Sequence, residues 1–173
     1  THMDGARLIN AAVAQNLPPA RLVQSIDTVS LCLSKGLGVP LGSVLVGSSV
    51  VIERARRLRK MLGGGMRQAG IIAAAGRYAL QHNMDRLAQD HKRTQKLATA
   101  LEGLQGLHFD RARVQTNMLF LQSPQMPDLA NYLAQRGIAI TAIGENSRIV
   151  LHMQIDDAAL QQITEAIQGF FHE

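Results

Sequence analysis

The sequence predicts an α/β fold, because segments with helical spacing of apolar residues alternate with short apolar strands along the whole chain. One strand is marked by Val29, Leu31 and Leu33, which alternate with small or polar residues. One helix is marked by the alanine-rich stretch 66–80. The chain has 173 residues, 46% of them apolar and 18% charged, which suffices for the core of one domain or two small ones.

The first half of the chain is organised around a strand and a glycine-rich loop. Pro18 and Pro19 end an initial helix, and Ser48 or Ser49 is placed to cap a later helix that Gly63 ends. The stretch 66–80 is rich in small residues, which permits close packing against another backbone. The predicted elements are a helix over 6–16, a strand leading into residue 33, a second apolar run over 43–47, and helices over 49–62 and 66–80.

The character of the sequence changes after residue 83, where we place a domain boundary. Residues 1–83 form one predicted domain, and residues 84–173 form a smaller α+β domain. Gly137 is expected just past the end of a helix. The predicted elements here are helices over 84–104, 127–136 and 156–170, and strands over 114–122, 138–143 and 147–153.

Composition argues against several classes of function. The net charge is +5, but aromatic residues make up only 3% of the chain and tryptophan is absent, which disfavours stacking on single-stranded nucleic acid. The basic run over 53–60 is interrupted by apolar positions, which favours a solvated helix over a nucleic-acid surface. Cys32 is the only cysteine, and the six histidines lack metal-ligand spacing, so we predict no disulfide framework and no metal site. No apolar run approaches the ~20 residues of a membrane helix.

Lys35 is the first candidate for chemistry, because it follows a strand and enters a loop containing Gly36, Gly38 and Gly42. A lysine lifted out of bulk water there has a lowered pKa and becomes a neutral amine that can form a Schiff base. The alternative is an ordinary surface lysine at a turn.

Four other charged residues have two interpretations each. Asp4 either holds a protonated ring nitrogen or caps a helix beginning at Ala6. Arg148, at the entrance to a strand, either grips a carboxylate or is simply exposed. Lys60 and Arg67 bracket a triglycine whose backbone amides suit an anion, but they also fit a solvated helix end.

Four segments taken together resemble the low-specificity threonine aldolases, which belong to the aspartate-aminotransferase-like (fold type I) enzymes that use pyridoxal phosphate. The segments are THMDGARLINAA, SLCLSKGLGVPLGSVLVG, RKMLGGGMRQAGIIAAAGRYAL and TNMLFL. The resemblance extends over essentially the whole chain and implies the C-terminal part of the large cofactor domain, a mixed sheet with helices on both faces, followed by the small α+β domain.

The resemblance also implies roles for the candidate residues. Lys35 is implied to be the Schiff-base lysine, Asp4 the partner of the pyridine nitrogen, and Arg7 a neighbour of the cofactor that helps to hold the substrate carboxylate. Arg148 matches the carboxylate-binding arginine of the small domain. Lys60 and Arg67 are implied to approach the cofactor phosphate of a neighbouring subunit.

The implied activity is retro-aldol cleavage of threonine or allo-threonine into glycine and acetaldehyde, in threonine catabolism and glycine biosynthesis. Members of the family are about twice as long, so we expect an N-terminal half that supplies the phosphate loop, the stacking histidine and the base. The resemblance further implies a cytoplasmic dimer or tetramer without nucleic-acid or membrane partners. Another fold type I reaction (β-elimination or transamination) and an inactive assembly module remain the alternatives.

Overall fold

The computed structural model describes residues 1–172, in which the chain folds as two units, Thr1–Leu87 and the part from Ala88 onward. Strands and helices alternate in both units, which confirms the predicted α/β class. Leu87 belongs to the first unit because its fully buried side chain packs in the same cluster as Leu33 and Leu37. This contact lies beyond the sequence-based boundary after residue 83, and the identity of residues 1–83 as part of a cofactor domain stays a prediction.

The first unit is built on a three-stranded mixed sheet in the order β1-β2-β3, where β1 and β2 are parallel and β2 and β3 are antiparallel. The parallel pair requires a crossover, which the first helix supplies. Gly5 permits the close pairing, since a Cβ there would lie 2.8 Å from Val29 Cγ1. The elements are β1 (His2–Gly5), α1 (Leu8–Gln15), α2 (Pro19–Leu22), β2 (Thr28–Cys32), β3 (Ser43–Gly47), α3 (Ser49–Met61) and α4 (Gly70–His82).

The core of the first unit is small and leaves much apolar surface uncovered. All five residues of β3 are exposed, although three of them are Val44, Leu45 and Val46. The predicted apolar side of α3 is exposed as well, with Val50 at 77% and Met61 at 79%. The buried cluster consists of Ile9, Leu33, Leu37, Val39, Ala79 and Leu87.

The second unit contains a three-stranded sheet in the order β4-β6-β5, with both pairs antiparallel. One face of this sheet carries Leu119, Leu121 and Ile149 into a core that helices cover. The opposite face is exposed. The elements are α5 (Leu87–Leu101, of which only the first residue belongs to the first unit), β4 (Met118–Gln122), α6 (Met126–Ala134), β5 (Ala142–Ile143), β6 (Asn146–Val150) and α7 (Asp157–His172).

Three predicted strands of the second unit end or begin short of their predicted bounds, and the one predicted over 147–153 corresponds to β6 and ends at Val150. The strand predicted over 114–122 begins only at Met118, because Asp110 accepts a hydrogen bond from the Ala112 amide (2.9 Å) and caps a 3-10 helix, Arg111–Arg113. The strand predicted over 138–143 is reduced to β5, because Ile138 and Ile140 pack against the core without pairing to a neighbouring strand.

Three predicted helices begin at least two residues later than expected, among them the one predicted over 6–16, which begins at Leu8. The stretch 66–80 becomes helical only at Gly70, and the stretch 84–104 forms a helix only over Leu87–Leu101. Gly103 lies two residues beyond that second helix with φ of +83°, a backbone conformation that does not continue a helix.

Over residues 1–172, no helix combines the length and the apolar character that crossing a bilayer requires. Over the same residues, the acidic, histidine and cysteine side chains form no cluster suited to holding a metal ion.

Candidate functional site

The parallel strands of the first unit determine where three of the predicted site residues lie. These residues are Asp4, Arg7 and Lys35. Asp4 is in β1, paired in register with Ser30 of β2, and Arg7 comes directly after β1. Lys35 is in the loop that leaves β2. Because parallel strands end at the same edge of a sheet, the three residues belong to one edge, the edge at which α/β folds bind ligands.

The Asp4 carboxylate is exposed and has one local hydrogen bond, accepted by Oδ1 from the Ala6 amide at 3.0 Å. The prediction that Asp4 caps a helix beginning at Ala6 is wrong in detail, because α1 begins at Leu8 and Arg7 occupies its N-cap position. Oδ2 of Asp4 has no hydrogen-bond partner within residues 1–172, so it can accept a hydrogen bond from an N–H or O–H group of a ligand.

Arg7 is held by the start of α1, where its carbonyl accepts a hydrogen bond from the Ala11 amide at 3.0 Å. Its side chain is half-buried, in contrast to the exposed Asp4. Half-burial restricts the guanidinium and strengthens its attraction to an anion relative to a freely solvated arginine.

Lys35 lies in a loop over residues 33–42, which we call the lysine loop. Within it, the Val39 amide donates to the Leu33 carbonyl (3.1 Å) and the Gly38 amide donates to the Lys35 carbonyl (2.9 Å). Gly38 has φ of +72°, which favours glycine. The Lys35 side chain itself is exposed. We predicted that this amine is shielded from bulk water, but residues 1–172 by themselves do not shield it.

Cys32, at the end of β2, interacts electrostatically with the lysine loop. Its Sγ lies 3.4 Å from the Ser34 hydroxyl. Burial raises the pKa of the Cys32 thiol, but hydrogen bonding with Ser34 and the positive charge of Lys35 lower it by more, so the pKa falls below its usual value.

Two asparagines that contact the lysine loop were not predicted from the sequence. Nδ2 of Asn83, at the end of α4, donates to the Leu37 carbonyl at 2.8 Å. Oδ1 of Asn10, in α1, lies 2.9 Å from the position that a Cβ on Gly36 would occupy. Asparagine is common at the ends of helices. The sequence around Asn83 therefore gives no sign that its side chain bonds to a carbonyl 46 residues away.

The triglycine between Lys60 and Arg67 does not offer all of its backbone amides to an anion, as one of the two interpretations of this stretch required. The amides of Gly63 and Gly64 donate to the carbonyls of Lys60 (3.2 Å) and Arg59 (2.8 Å) and thereby terminate α3. Nζ of Lys60 lies 3.0 Å from the position of a Cβ on Gly65, so the lysine extends along the glycines. Lys60 and Arg67 are both exposed, whereas the amides of Gly63 and Gly64 are already hydrogen-bonded.

Arg148 belongs to the second unit, where it lies on the exposed face of β6 opposite Phe120 of β4. Its neighbours Ser147 and Ile149 are buried on the other face. Within the described part of the chain the Arg148 guanidinium has no ion pair and no hydrogen bond. The cation is free to bind a carboxylate bidentately.

Comparison with known proteins gives one family match and several similar sequences. The family model described as beta-eliminating lyase matches residues 1–124. A probable low-specificity L-threonine aldolase 2 of Arabidopsis thaliana is 42% identical over 177 residues, 99% of this chain and 50% of that protein. The low specificity L-threonine aldolase of Escherichia coli K12 is 42% identical over 171 residues, 98% of this chain and 50% of that protein. The chain thus spans about half the length of the curated relatives it matches.

Solved structures share the fold at low sequence identity. A threonine aldolase of Leishmania major superposes with a TM-score of 0.80 at 19% identity, covering 98% of this chain and 51% of that one. A putative L-allo-threonine aldolase of Listeria monocytogenes superposes with a TM-score of 0.78 at 16% identity, covering 97% and 51%. These likenesses establish the fold type I fold for the chain.

Proposed function

Since the chain belongs to the beta-eliminating lyase family, we propose that it is the C-terminal part of a pyridoxal-phosphate-dependent aldolase. The proposed reaction breaks the Cα–Cβ bond of threonine or allo-threonine and yields glycine and acetaldehyde. The observation that carries the proposal is the topology that assigns Asp4, Arg7 and Lys35 to one edge of one sheet. Relatives named low-specificity L-threonine aldolase match nearly the whole chain, which favours aldol cleavage over other lyase reactions.

The side chains at this edge fit pyridoxal phosphate by their chemistry. Lys35 offers an exposed primary amine for covalent attachment, and Asp4 offers a carboxylate oxygen with no other partner within residues 1–172. Arg7 adds a half-buried cation. When bound, the cofactor supplies an electron sink for the electron pair released at Cα.

The chain's own residues contribute binding, orientation and proton placement. The Asp4 carboxylate keeps a proton on a ring nitrogen, because an adjacent anion favours the protonated form. Arg7 and Arg148 bind the substrate carboxylate, which fixes the orientation of the remaining bonds at Cα. The Lys35 amine would hold the cofactor covalently, give way to the amino group of the substrate, and recover that bond when the product leaves.

We propose that an N-terminal half completes this site. It supplies the base that removes the β-hydroxyl proton, the phosphate-binding loop, and the histidine that stacks on the cofactor. The proposal is supported by the coverage of only half of each relative and by the exposed apolar side chains of β3 and α3. Such side chains are normally covered in a folded enzyme.

The finer assignments extend the same proposal. Residues 1–83 are assigned to the large cofactor domain, and residues 84–173 to the small domain. Lys60 and Arg67 are assigned to the cofactor phosphate of a neighbouring subunit in a homodimer or homotetramer. The enzyme is proposed to act in the cytoplasm, in threonine catabolism and glycine biosynthesis, without nucleic-acid or membrane partners.

A β-elimination reaction is the second candidate, and the description of the matching family favours it. Both reactions use Lys35 and Asp4 in the same way but release different products. Aldol cleavage releases glycine and acetaldehyde from threonine, whereas elimination releases ammonia and a ketoacid. Transamination also yields a ketoacid, but it transfers the amino group to a second substrate. An inactive assembly module would give neither set of products.

The test replaces Lys35 with alanine in the chain joined to its N-terminal half as one continuous polypeptide. Wild-type protein should gain the mass of one reduced cofactor after borohydride treatment and release glycine from threonine. Lys35→Ala should take up no covalent cofactor and lose activity by about 10³-fold or more, because the amine that binds the cofactor is gone.

Lys92→Ala serves as the control, since Lys92 is an exposed lysine of the second unit with no proposed role. Equal cofactor incorporation in Lys35→Ala and wild type would refute the assignment of Lys35. Release of a ketoacid without glycine would show that the reaction is elimination or transamination and not aldol cleavage.

A further inference from the structure

We infer that Asn83 is a positioning residue for the Lys35 amine, and that together with Asn10 it holds the lysine loop in one conformation. This inference rests on the proposed role of Lys35. It concerns how the fold fixes the backbone of Lys35, whose side chain is exposed.

The contact of Asn83 is a hydrogen bond to the centre of the lysine loop. Nδ2 donates to the Leu37 carbonyl at 2.8 Å, and Leu37 is only 2% exposed. The backbone of Asn83 is itself fixed, because its amide donates to the Ala79 carbonyl at 2.8 Å. Ala79 is also 2% exposed, so the donor stands on a helix end that is anchored in the core.

The contact of Asn10 is steric and lies next to Lys35 in sequence. A Cβ on Gly36 would lie 2.9 Å from Asn10 Oδ1 and 2.9 Å from Leu87 Cδ2. Asn10 is 3% exposed and Leu87 is fully buried, so neither neighbour can swing into solvent to make room. Gly36 is therefore confined between two buried side chains.

The lysine loop is tied to itself as well. The Leu33 amide donates to the Gly42 carbonyl at 3.0 Å and closes the loop at its base. Leu33 and Val39 are 5% and 4% exposed, and both pack in the core of the first unit. The loop is thus anchored on both sides of Lys35, although the lysine side chain itself is exposed.

Fixing the backbone matters because a nucleophile must reach its target in a narrow range of geometries. A displacement of about 1 Å can reduce a rate by about 10²-fold. Lysine has a long flexible side chain, so a fixed Cα is the part of its position that the fold can control. Asn83 supplies that control from a helix end remote in sequence, without itself touching the substrate.

The test compares Asn83→Asp with Gln81→Glu in the continuous full-length polypeptide. Both variants turn an amide into a carboxylate near the end of α4, but Gln81 is exposed and its side chain makes no hydrogen bond within residues 1–172. Asn83→Asp removes the donor and places a negative charge against the Leu37 carbonyl. We expect kcat to fall about 10- to 100-fold with little change in KM, because only the reacting amine is displaced.

A second readout does not depend on turnover. The rate at which Lys35 is trapped by pyridoxal phosphate and borohydride, measured by peptide mass, should fall in Asn83→Asp and stay unchanged in Gln81→Glu. If Asn83→Asp is trapped and turns over at the wild-type rate, the inference is wrong. If wild-type Lys35 is not trapped at all, the proposed function fails.

Hydrogen exchange on the wild-type protein tests the inference even if Asn83→Asp does not fold. The amides of Gly38 and Val39 should exchange as slowly as those of β2, because the loop is held closed. Gly36→Ala should accelerate their exchange by forcing Asn10 or Leu87 to shift. Fast exchange of these amides in the wild-type protein would overturn the inference, whatever the activity of the enzyme.

Discussion

At the scale of single residues, the lysine loop combines a fixed backbone with an exposed, charged side chain. Its clearest electrostatic effect is on Cys32, two residues before Ser34 and three before Lys35. Burial of the thiol opposes ionisation, yet the Ser34 hydroxyl and the Lys35 ammonium reverse that effect. The thiol therefore reports on whether Lys35 is charged and close.

Replacing Lys35 with alanine should raise the pKa of the Cys32 thiol, because a stabilising positive charge is removed. The thiolate fraction at mildly alkaline pH then falls, and alkylation of Cys32 slows. The measurement is the pH dependence of the iodoacetamide rate. Lys92→Ala should leave the rate unchanged, and an unaltered rate in Lys35→Ala would show that the two groups are not coupled.

At the scale of elements, an ion pair joins the start of α7 to α5 in the second unit. Asp157 Oδ1 accepts a hydrogen bond from Arg93 Nε at 3.1 Å, and Lys96 Nζ lies 3.9 Å away. The hydrogen bond from Arg93 and its charge hold the pKa of the Asp157 carboxyl below the usual value of 3.8. Asp157 is also the first residue of α7, where a negative charge favours the helix.

Asp157→Asn should lower the free energy of unfolding at neutral pH and have progressively less effect in acid. Because the folded-state pKa is depressed, the stabilisation is complete above the unfolded-state value and disappears as the pH falls through the folded-state pKa. Urea unfolding across this acid range is the measurement. Asp128→Asn is the matched control, since Asp128 is in the first turn of α6 without an ion pair among residues 1–172. If both variants show the same pH dependence, the stabilisation comes from a carboxylate in the first turn of a helix and not from the ion pair with Arg93.

At the scale of the whole molecule, the two units differ in how completely they cover their own apolar residues. The second unit has a continuous core with Leu129, Leu133 and Ile167 fully buried. The first unit leaves Val44 and Val46 of β3 exposed, together with Leu62 at 88%. Exposed strand and helix surface of this kind promotes association with other chains.

The 173-residue chain alone should bind the dye ANS strongly and self-associate, and joining it to its N-terminal half should suppress both. Val44→Thr combined with Val46→Thr should reduce dye binding by the isolated chain, because it makes β3 more polar while keeping β-branched residues. Fluorescence and sedimentation are the measurements. A monomeric isolated chain without dye binding would contradict the proposal that another half covers this surface.

The sequence by itself was sufficient for the α/β class, for most helices, and for the strands on either side of the lysine loop. These follow from local causes: apolar spacing, the two prolines after α1, and Ser48 as the cap of α3, which accepts a hydrogen bond from the Val51 amide. It also singled out Lys35, through its place between a strand and three glycines. The lengths of β4, β5 and β6 were overestimated, in part because apolar residues such as Ile138 and Leu151 pack in or against the core outside any strand.

Only the tertiary structure decided what surrounds the lysine. The hydrogen bond from Asn83 spans 46 residues, and the contact between Asn10 and Gly36 depends on how α1 returns to the sheet. The use of the Gly63 and Gly64 amides to end α3 is, in contrast, a local helix cap that a glycine at positive φ permits. Sequence periodicity reports which face of an element is apolar, since that is a local property. It does not report which distant polar group meets a given carbonyl, because that is fixed only when the elements pack together.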